Sequence, residues 1–534
     1  MRLVIDGIVV NPQPEHRILD LVRQVGLDAE ELSMRPVAAQ IAGEVFNLND
    51  IPVCTKEVEE ERSSIRRAIE KSNGVIQLLR YRDPRGMEVY TRTAQFVLFL
   101  AIHKVYPDAT VHRNCTIGSA LAVDISEVDN LNISLIKDQF KELVKQDLPF
   151  APKHMTTVFP NCFYGEMLPS AGYLTVWDIL PTEGGLLFLY PDNSNPARIA
   201  TYTHIPQYIQ INRESRQWCQ LMGCETILDL NAMTRRGKLR ELIRVNEALH
   251  ENRYAQIADE ICQRNAKIVL LAGPSASGKT TSAHRLATQL RVHGKKPIRI
   301  SLDDYYIDRD QIQPDMDGIL DLEHINTIDI ALFHKQLKSM LLGEKVELPV
   351  FDFVSGKRQW YGHIMKTTPS TIIIVEGLHA LNPLLLPKEI DNRIVYRFYV
   401  SALLPLNLDA YNRIPSNLLR LLRRIIRDYE SRGASVASTI GMWDSVRRGE
   451  HRWIFPYQET ADAIFNSSTL YELAVLKRHI FPLLKTVPPE DTCYELLHTI
   501  ESILNCVLEG DVDDEIPPTS LMREFIGGST FYRE

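Results

Sequence analysis

Near the N-terminus the apolar residues form short paired runs, and further along they alternate between β-like stretches and helical repeats. Leu3–Ile5 and Ile8–Val10 flank Asp6-Gly7, a two-residue turn whose positive φ angles suit a tight hairpin. Ile18, Leu21, Val22 and Val25 then recur at helical spacing up to Gly26, and residues 37–41 and 45–48 predict a second hairpin around Ala42-Gly43. Residues 224–264 read as helical, with Leu239, Leu242, Ile243 and Leu249 on one apolar face. Residues 268–271 have the length and branching of a buried strand. After a glycine- and serine-rich break, Ala283, Leu286, Ala287 and Leu290 mark a helix that His293-Gly294 stops. PIRISLDDYY and STIIIVEGLHA predict two more strands, the first ending at Asp303-Asp304 and the second at Glu376-Gly377. Strands alternating with helices in this way imply a mostly parallel sheet.

The break after residue 271 has the form G-x-x-x-x-G-K-[ST], spelled by Gly273, Pro274, Ser275, Ala276, Ser277, Gly278, Lys279 and Thr280, with Thr281 next. Strand, loop and helix fall in the order that this motif requires. Backbone N–H groups of such a loop and of the helix N-terminus can surround a phosphate chain, Lys279 can reach the outer phosphates, and the Thr280 hydroxyl can hold magnesium. Ligands in an open parallel sheet gather at the C-terminal strand ends, where one carboxylate can take a proton from a hydroxyl and another can order magnesium-bound water. Asp303 and Glu376 stand at two such ends. Arg420, Arg423, Arg424 and Arg427 share adjoining helical positions ahead of Arg432-Gly433, and arginine's planar fork suits the spreading charge of a phosphoryl group in flight.

Composition narrows the class. The chain has 534 residues, enough for several domains, and 60 basic against 68 acidic side chains give a net charge of -8, without the footprint of a generic nucleic-acid binder. Its eight cysteines form no CxxC pair, which favours reduced thiols in a cytoplasm over a disulfide framework or zinc cluster. No apolar run approaches the roughly eighteen residues of a membrane span, and MRLVIDGIVV carries Asp6 where a signal peptide would be apolar. Arg235, Arg236, Lys238, Arg240 and Arg244 could meet RNA, but the acidic residues that follow favour a solvated face.

GPSASGKT, LDDYY, LPVFDFVSGKR, VEGLHAL and RRIIRDYESRG resemble the uridine kinase and phosphoribulokinase family over residues 261–485. The resemblance implies that residues 273–281 bind ATP, that Asp303 is the base for the acceptor hydroxyl, and that Glu376 with Thr280 organises magnesium. It further implies that Arg424, Arg427 and Arg432 are lid arginines, with Arg427 and Lys279 acting in catalysis and Arg424 and Arg432 on the nucleotide. Tyr306, Glu323 and Phe351 match substrate-binding positions, together with Asp303. Uridine kinases of the family carry a tyrosine and a histidine in the segment that here holds Phe351 and Gly356, so the base-recognising groups differ.

The front half resembles synthetase modules. Residues 1–58 are similar to a TGS domain, a ubiquitin-like β-grasp module. Residues 59–220, through TRTAQFVLFLAIHKVYPDATVHRNCTIG, are similar to the second, editing domain of threonyl-tRNA synthetases. Thr91 and Gln95 occupy the places of that domain's HxxxH pair, and His103 and His112 receive no role. The expected architecture is thus a TGS-like β-grasp, an α+β editing-like domain, a helical connector over 221–260, a three-layer α/β P-loop kinase domain over 261–486, and a tail over 487–534. In that tail DVDDEIPP reads as linker and LMREFIGGSTF as an end that docks. The whole resembles bacterial multidomain uridine kinase-like nucleoside kinases.

The expected activity is transfer from ATP, with magnesium, to a nucleoside or related polyol in the cytoplasm. Binding of tRNA or other RNA by the front half and homo-oligomer formation stay open, and no membrane partner is expected. A TGS-linked GTPase or RNA-binding switch is the rival class, but no N-K-x-D guanine reader occurs, and DMDG at residues 315–318 meets D-x-x-G too loosely to count. Because neither Thr91 nor Gln95 can replace a histidine that binds metal or moves a proton, the protein is expected to carry no catalytic zinc and to release no amino acid from mischarged tRNA. Stoichiometric zinc by elemental analysis, together with metal-dependent deacylation, would overturn that expectation.

Overall fold

The computed structural model describes residues 2–52, 62–150, 165–312, 323–352, 355–409, 412–488, 490–491 and 493–532. They form two compact units, residues 1–204 with 409–412, and residues 205–408 with 413–534. The DMDG stretch lies outside the described residues.

The first unit is mixed α/β. Its Leu3–Ile5 and Ile8–Val10 hairpin turns at Asp6 and Gly7, both at positive φ, and Pro36–Ile41 pairs antiparallel with Glu44–Phe46. Val75–Arg80 joins the two hairpins, parallel to Leu3–Ile5 and antiparallel to Pro36–Ile41, so one five-stranded sheet draws on sequence well past residue 58. Ile18, Leu21 and Val22 of the helix Ile18–Gln24 pack on this sheet with Ile65 and Ile69 of the helix Arg62–Lys71. A second, antiparallel sheet orders Thr110–Ile117, Ala120–Ser126, Gly185–Leu189 and Asp178–Thr182. The helix Pro84–Val105, which carries Thr91 and Gln95, supplies Phe99 and Ile102 to the core that it shares with Leu121, Val123 and Phe188 of that sheet.

The second unit is built on a five-stranded parallel sheet in the order Lys296–Ser301, Thr371–Glu376, Ile268–Ala272, Val395–Ser401, Ala463–Asn466. Every residue of Ile268–Ala272 is buried, which explains why it reads as one continuous apolar run. Side chains of a strand alternate between faces, and here the alternation serves two cores. Ile268, Leu270 and Ala272 join Ile300, Ile373, Val375 and Tyr399 on one face. Val269 and Leu271 join Ile372, Ile374, Phe398, Leu286 and Leu290 on the other. The helix Leu239–Gln263 adds Tyr254, Ile257 and Ile261 to this second face, and so belongs to the second unit's own core. The acidic stretch expected as linker is held down as well: Asp514 and Glu515 pair with Arg240, and Glu515 also with Arg244. Two of the arginines expected on a solvated or RNA-facing surface are therefore engaged by the chain's own tail.

The chain leaves Ile268–Ala272 between its neighbours Thr371–Glu376 on one side and Val395–Ser401 on the other, where the order of connection reverses. Such a switch point opens a crevice at the strand ends. Gly273 enters that crevice against the neighbouring strand, and a Cβ there would sit 2.1 Å from the Val400 carbonyl oxygen. The Val400 backbone cannot swing aside as a side chain could, so Gly273→Ala should cost at least about 2 kcal/mol. Chemical denaturation checks it, and a change below about 0.5 kcal/mol would contradict this packing.

Candidate functional site

The loop between Ile268–Ala272 and the helix Lys279–Val292 places Ala276 and Gly278 at positive φ, 56° and 85°. For alanine that conformation carries a cost of about 1–2 kcal/mol, and the loop is braced accordingly. Arg420, on the helix Ser416–Arg432, forms a buried pair with Glu450 and donates to the Ser275 carbonyl at 3.1 Å. Glu450 in turn accepts from the Ser275 N–H at 2.9 Å. One turn on, Arg423 is wholly buried against Glu472 and donates to the Ala276 carbonyl at 3.3 Å and to the Ser467 carbonyl at 2.9 Å. These two arginines, expected among a cluster closing over phosphates, are instead committed to holding the loop.

The remaining arginines of that helix face the crevice. Arg424 donates to the Ser275 hydroxyl at 2.9 Å, and Arg424, Arg427 and Arg432 all converge on the buried carboxylate of Asp428, at 3.2, 2.8 and 3.5 Å. Burial holds the Arg424 guanidinium below its usual range, and Arg432, its side chain more than half exposed, stands at the solvent edge of this dense positive pole. Lys279 folds back to donate to the Pro274 carbonyl at 3.1 Å. Burial lowers its pKa, while Glu376, Asp303 and Glu524 oppose that shift.

The two strand-end carboxylates arrive on adjacent strands, because Ser301 lies in register with Glu376 and Asp303 follows two residues later. Glu376 accepts from the Thr280 hydroxyl at 3.2 Å. Burial, and after it the Asp303 charge, pushes Glu376 up to about 7, with Lys279 acting against the shift. Asp303 is also raised by burial, against the pull of Lys279, Arg432 and Arg427. Hydroxyl and carboxylate side by side are hard oxygen ligands of the kind that magnesium takes while keeping most of its water, so Thr280 and Glu376 fit a magnesium ion.

Beyond Asp303 lies a second group of expected site residues. Burial, then Asp303 and Glu323, lift Tyr306 well above its ordinary range, and its ring meets Phe351 edge-on at 5.6 Å. The Phe351 N–H donates to Asp304 at 3.2 Å. Burial raises Glu323 to about 7 while Arg424 opposes it. Glu323 has room only because residue 449 is glycine, where an added Cβ would lie 2.5 Å from its own. Gly356 is at φ +69°, and an added side chain there would run into Arg309. The structure thus gathers Lys279, Thr280, Asp303, Glu376, Arg424, Arg427, Arg432, Tyr306 and Glu323 about one crevice, with Phe351 reaching it through Tyr306. Sequence reasoning missed Asp428, Glu450, Glu472 and Glu524. Asp428 follows directly in the RRIIRDYE motif, but the others had no local signal.

Residues 268–474 match the profile of the Phosphoribulokinase / Uridine kinase family. A uridine kinase of Ligilactobacillus salivarius is 31% identical over 198 residues, 37% of this chain and 83% of that protein. A uridine kinase of Borrelia duttonii is 28% identical over 214 residues, 39% of this chain and 92% of that protein.

The raised carboxylate has a measurable consequence. Glu376 ionises near 4.5 when unfolded and about 7 when folded, so between those values the folded state keeps a proton that the unfolded state has lost. Its contribution to stability is whole below 4.5 and is lost as pH rises to about 7, at about 1.4 kcal/mol per unit. Glu376→Gln should therefore flatten the fall in unfolding free energy between about pH 5 and about pH 8 by roughly 2–3 kcal/mol. Urea unfolding at both pH values tests it, and equal pH dependence in the two proteins would show that Glu376 is not held protonated.

Proposed function

The chain belongs to the phosphoribulokinase/uridine kinase family, and from that premise we propose that it is an ATP-dependent kinase passing a γ-phosphate to a hydroxyl of a nucleoside or related polyol. One observation carries the reading: Asp303, two residues past the end of one strand, and Glu376, at the end of the parallel strand beside it, both interact with Lys279. In this reading residues 273–281 cradle the phosphates, with Lys279 and Arg427 meeting the charge that spreads over the transferring group, and Arg424 and Arg432 closing on the nucleotide. Thr280 and Glu376 hold the magnesium ion, which supplies charge neutralisation on the phosphates.

Asp303 accepts the proton of the acceptor hydroxyl as that oxygen bonds to the γ-phosphorus and the bond to the leaving diphosphate breaks. Its raised pKa makes it a stronger base once ionised. Tyr306, Glu323 and Phe351 receive the acceptor. The relatives named uridine kinases support a nucleoside. Phe351 and Gly356 offer neither a hydroxyl donor nor an imidazole to the base, which supports recognition through vicinal hydroxyls and relaxed selectivity among bases. The front unit, with its mixed sheets and with Thr91 and Gln95 at the histidine positions, is read as TGS-like and editing-like modules without editing chemistry.

Asp303→Asn should leave ATP binding intact and slow transfer by about a hundredfold or more. Lys279→Ala should cost several kcal/mol in kcat/KM, of the order of about 3. Turnover measured with ATP and GTP across uridine, cytidine, purine nucleosides and sugar alcohols tests both, with and without tRNA. Near-normal turnover in folded Lys279→Ala protein would remove this loop from the active site. A preference for uridine and cytidine above roughly a hundredfold would return a base-reading uridine kinase.

A further inference from the structure

The C-terminal segment lies on the phosphate loop. Leu521 and Phe525 form a small buried cluster with Ala276, and a Cβ on Gly278 would meet Leu521 at 2.4 Å. The Arg423 guanidinium, which braces the loop from inside, stands over the Phe525 ring at 4.9 Å. Glu524 places its carboxylate at the N-terminal end of the helix Lys279–Val292, accepting from the Thr281 hydroxyl at 2.6 Å and from the Thr281 N–H at 3.4 Å. Its charge also acts on Lys279 and Glu376. Further on, Phe531 stacks on His284 of the same helix at 4.7 Å.

These are the donors that a phosphate-cradling loop offers to a nucleotide. A carboxylate on them is a phosphate's rival for the same hydrogen bonds, and a triphosphate beside it meets like charge. Resting on the nucleotide reading of this loop, we propose that the C-terminal segment is an intrachain competitor of the nucleotide, with Glu524 in the place of a phosphate.

The segment is built to stay tethered while it yields. Ser520 is fully buried and donates to Glu247, which also accepts from Tyr471, and Met522 belongs to the large helical core. Arg523 is tied to the carbonyl of Ile516. Beyond this anchor, Glu524 sits on the single helical turn Arg523–Ile526, followed by Gly527 and Gly528 at φ +82° and +77°. Two successive glycines in that region permit a change of direction that other residues resist. Nucleotide displaces the Glu524 carboxylate while Ser520 and Met522 hold.

The test uses the full chain. Binding of ATP with magnesium is measured by calorimetry for the wild type, Glu524→Gln and Glu524→Ala, each checked for an unchanged denaturation midpoint. Both variants should bind about tenfold tighter or more, the factor by which a competitor that closes a site about nine-tenths of the time weakens apparent affinity. In the wild type, ATP should lower amide-exchange protection in residues 524–532. Equal or weaker affinity in both folded variants, or protection of that segment rising with ATP, would make Glu524 part of the bound state and overturn the competitor. Absence of nucleotide binding in all three proteins would instead overturn the nucleotide reading, and the competitor with it.

Discussion

The phosphate loop depends on two buried arginine–glutamate pairs. A loop with left-handed residues at Ala276 and Gly278 turns its backbone groups out of register with any helix or strand, so its polar atoms need partners from elsewhere. Arg420 with Glu450, and Arg423 with Glu472, supply them by gripping the carbonyls of Ser275 and Ala276 and the N–H of Ser275. A buried pair of this kind adds little net stability over apolar packing, whereas losing one partner strands a charge at a cost of about 3–5 kcal/mol. The pairs therefore matter for geometry: they fix the loop's shape from beneath.

The same helix, Ser416–Arg432, divides its arginines by face. Arg420 and Arg423 turn toward the loop's underside and find glutamates from Val436–Trp453 and Glu472–Leu484. Arg424, Arg427 and Arg432 turn toward the crevice and share Asp428 as a close anion. Opposite them stand Asp303, Glu376 and Glu323, all with burial pushing toward protonation. Positive and negative groups are thus packed together with less water than either sign would choose. A phosphate chain and a divalent cation entering between them would relieve both sides, which is how a site can be pre-organised for charged ligands before they arrive.

Glu524 fits into this balance from outside the family-matched residues. It brings a carboxylate to the positive side of the crevice, and its supports run through Ser520 and Glu247 to Tyr471, so the tail, the helix Leu239–Gln263 and the loop are connected by hydrogen bonds. Arg240 and Arg244, with their partners Asp514 and Glu515, fasten the approach to that contact.

Local pattern was enough for the elements whose identity is decided by neighbours in sequence. The Asp6-Gly7 hairpin, the all-apolar strand before Gly273, the loop and its helix, and the two strands that lead to carboxylates were legible because turn chemistry, periodicity and glycine placement act over a few residues, although the first of those strands stops at Ser301, before Asp303. The relation of Asp303 to Glu376 followed once a parallel sheet was expected. Tertiary structure decided which arginines face the crevice, because a helix presents several adjoining positions and only the location of Glu450, Glu472 and Asp428 assigns them. It decided that Val75–Arg80 completes the first sheet, since strand pairing across tens of residues leaves no local mark. It also gave the tail its place: a short segment with Leu521, Glu524 and Phe525 carries no periodic signal, and only the apolar face at Ala276 and the donors at Thr281 determine where those side chains come to rest.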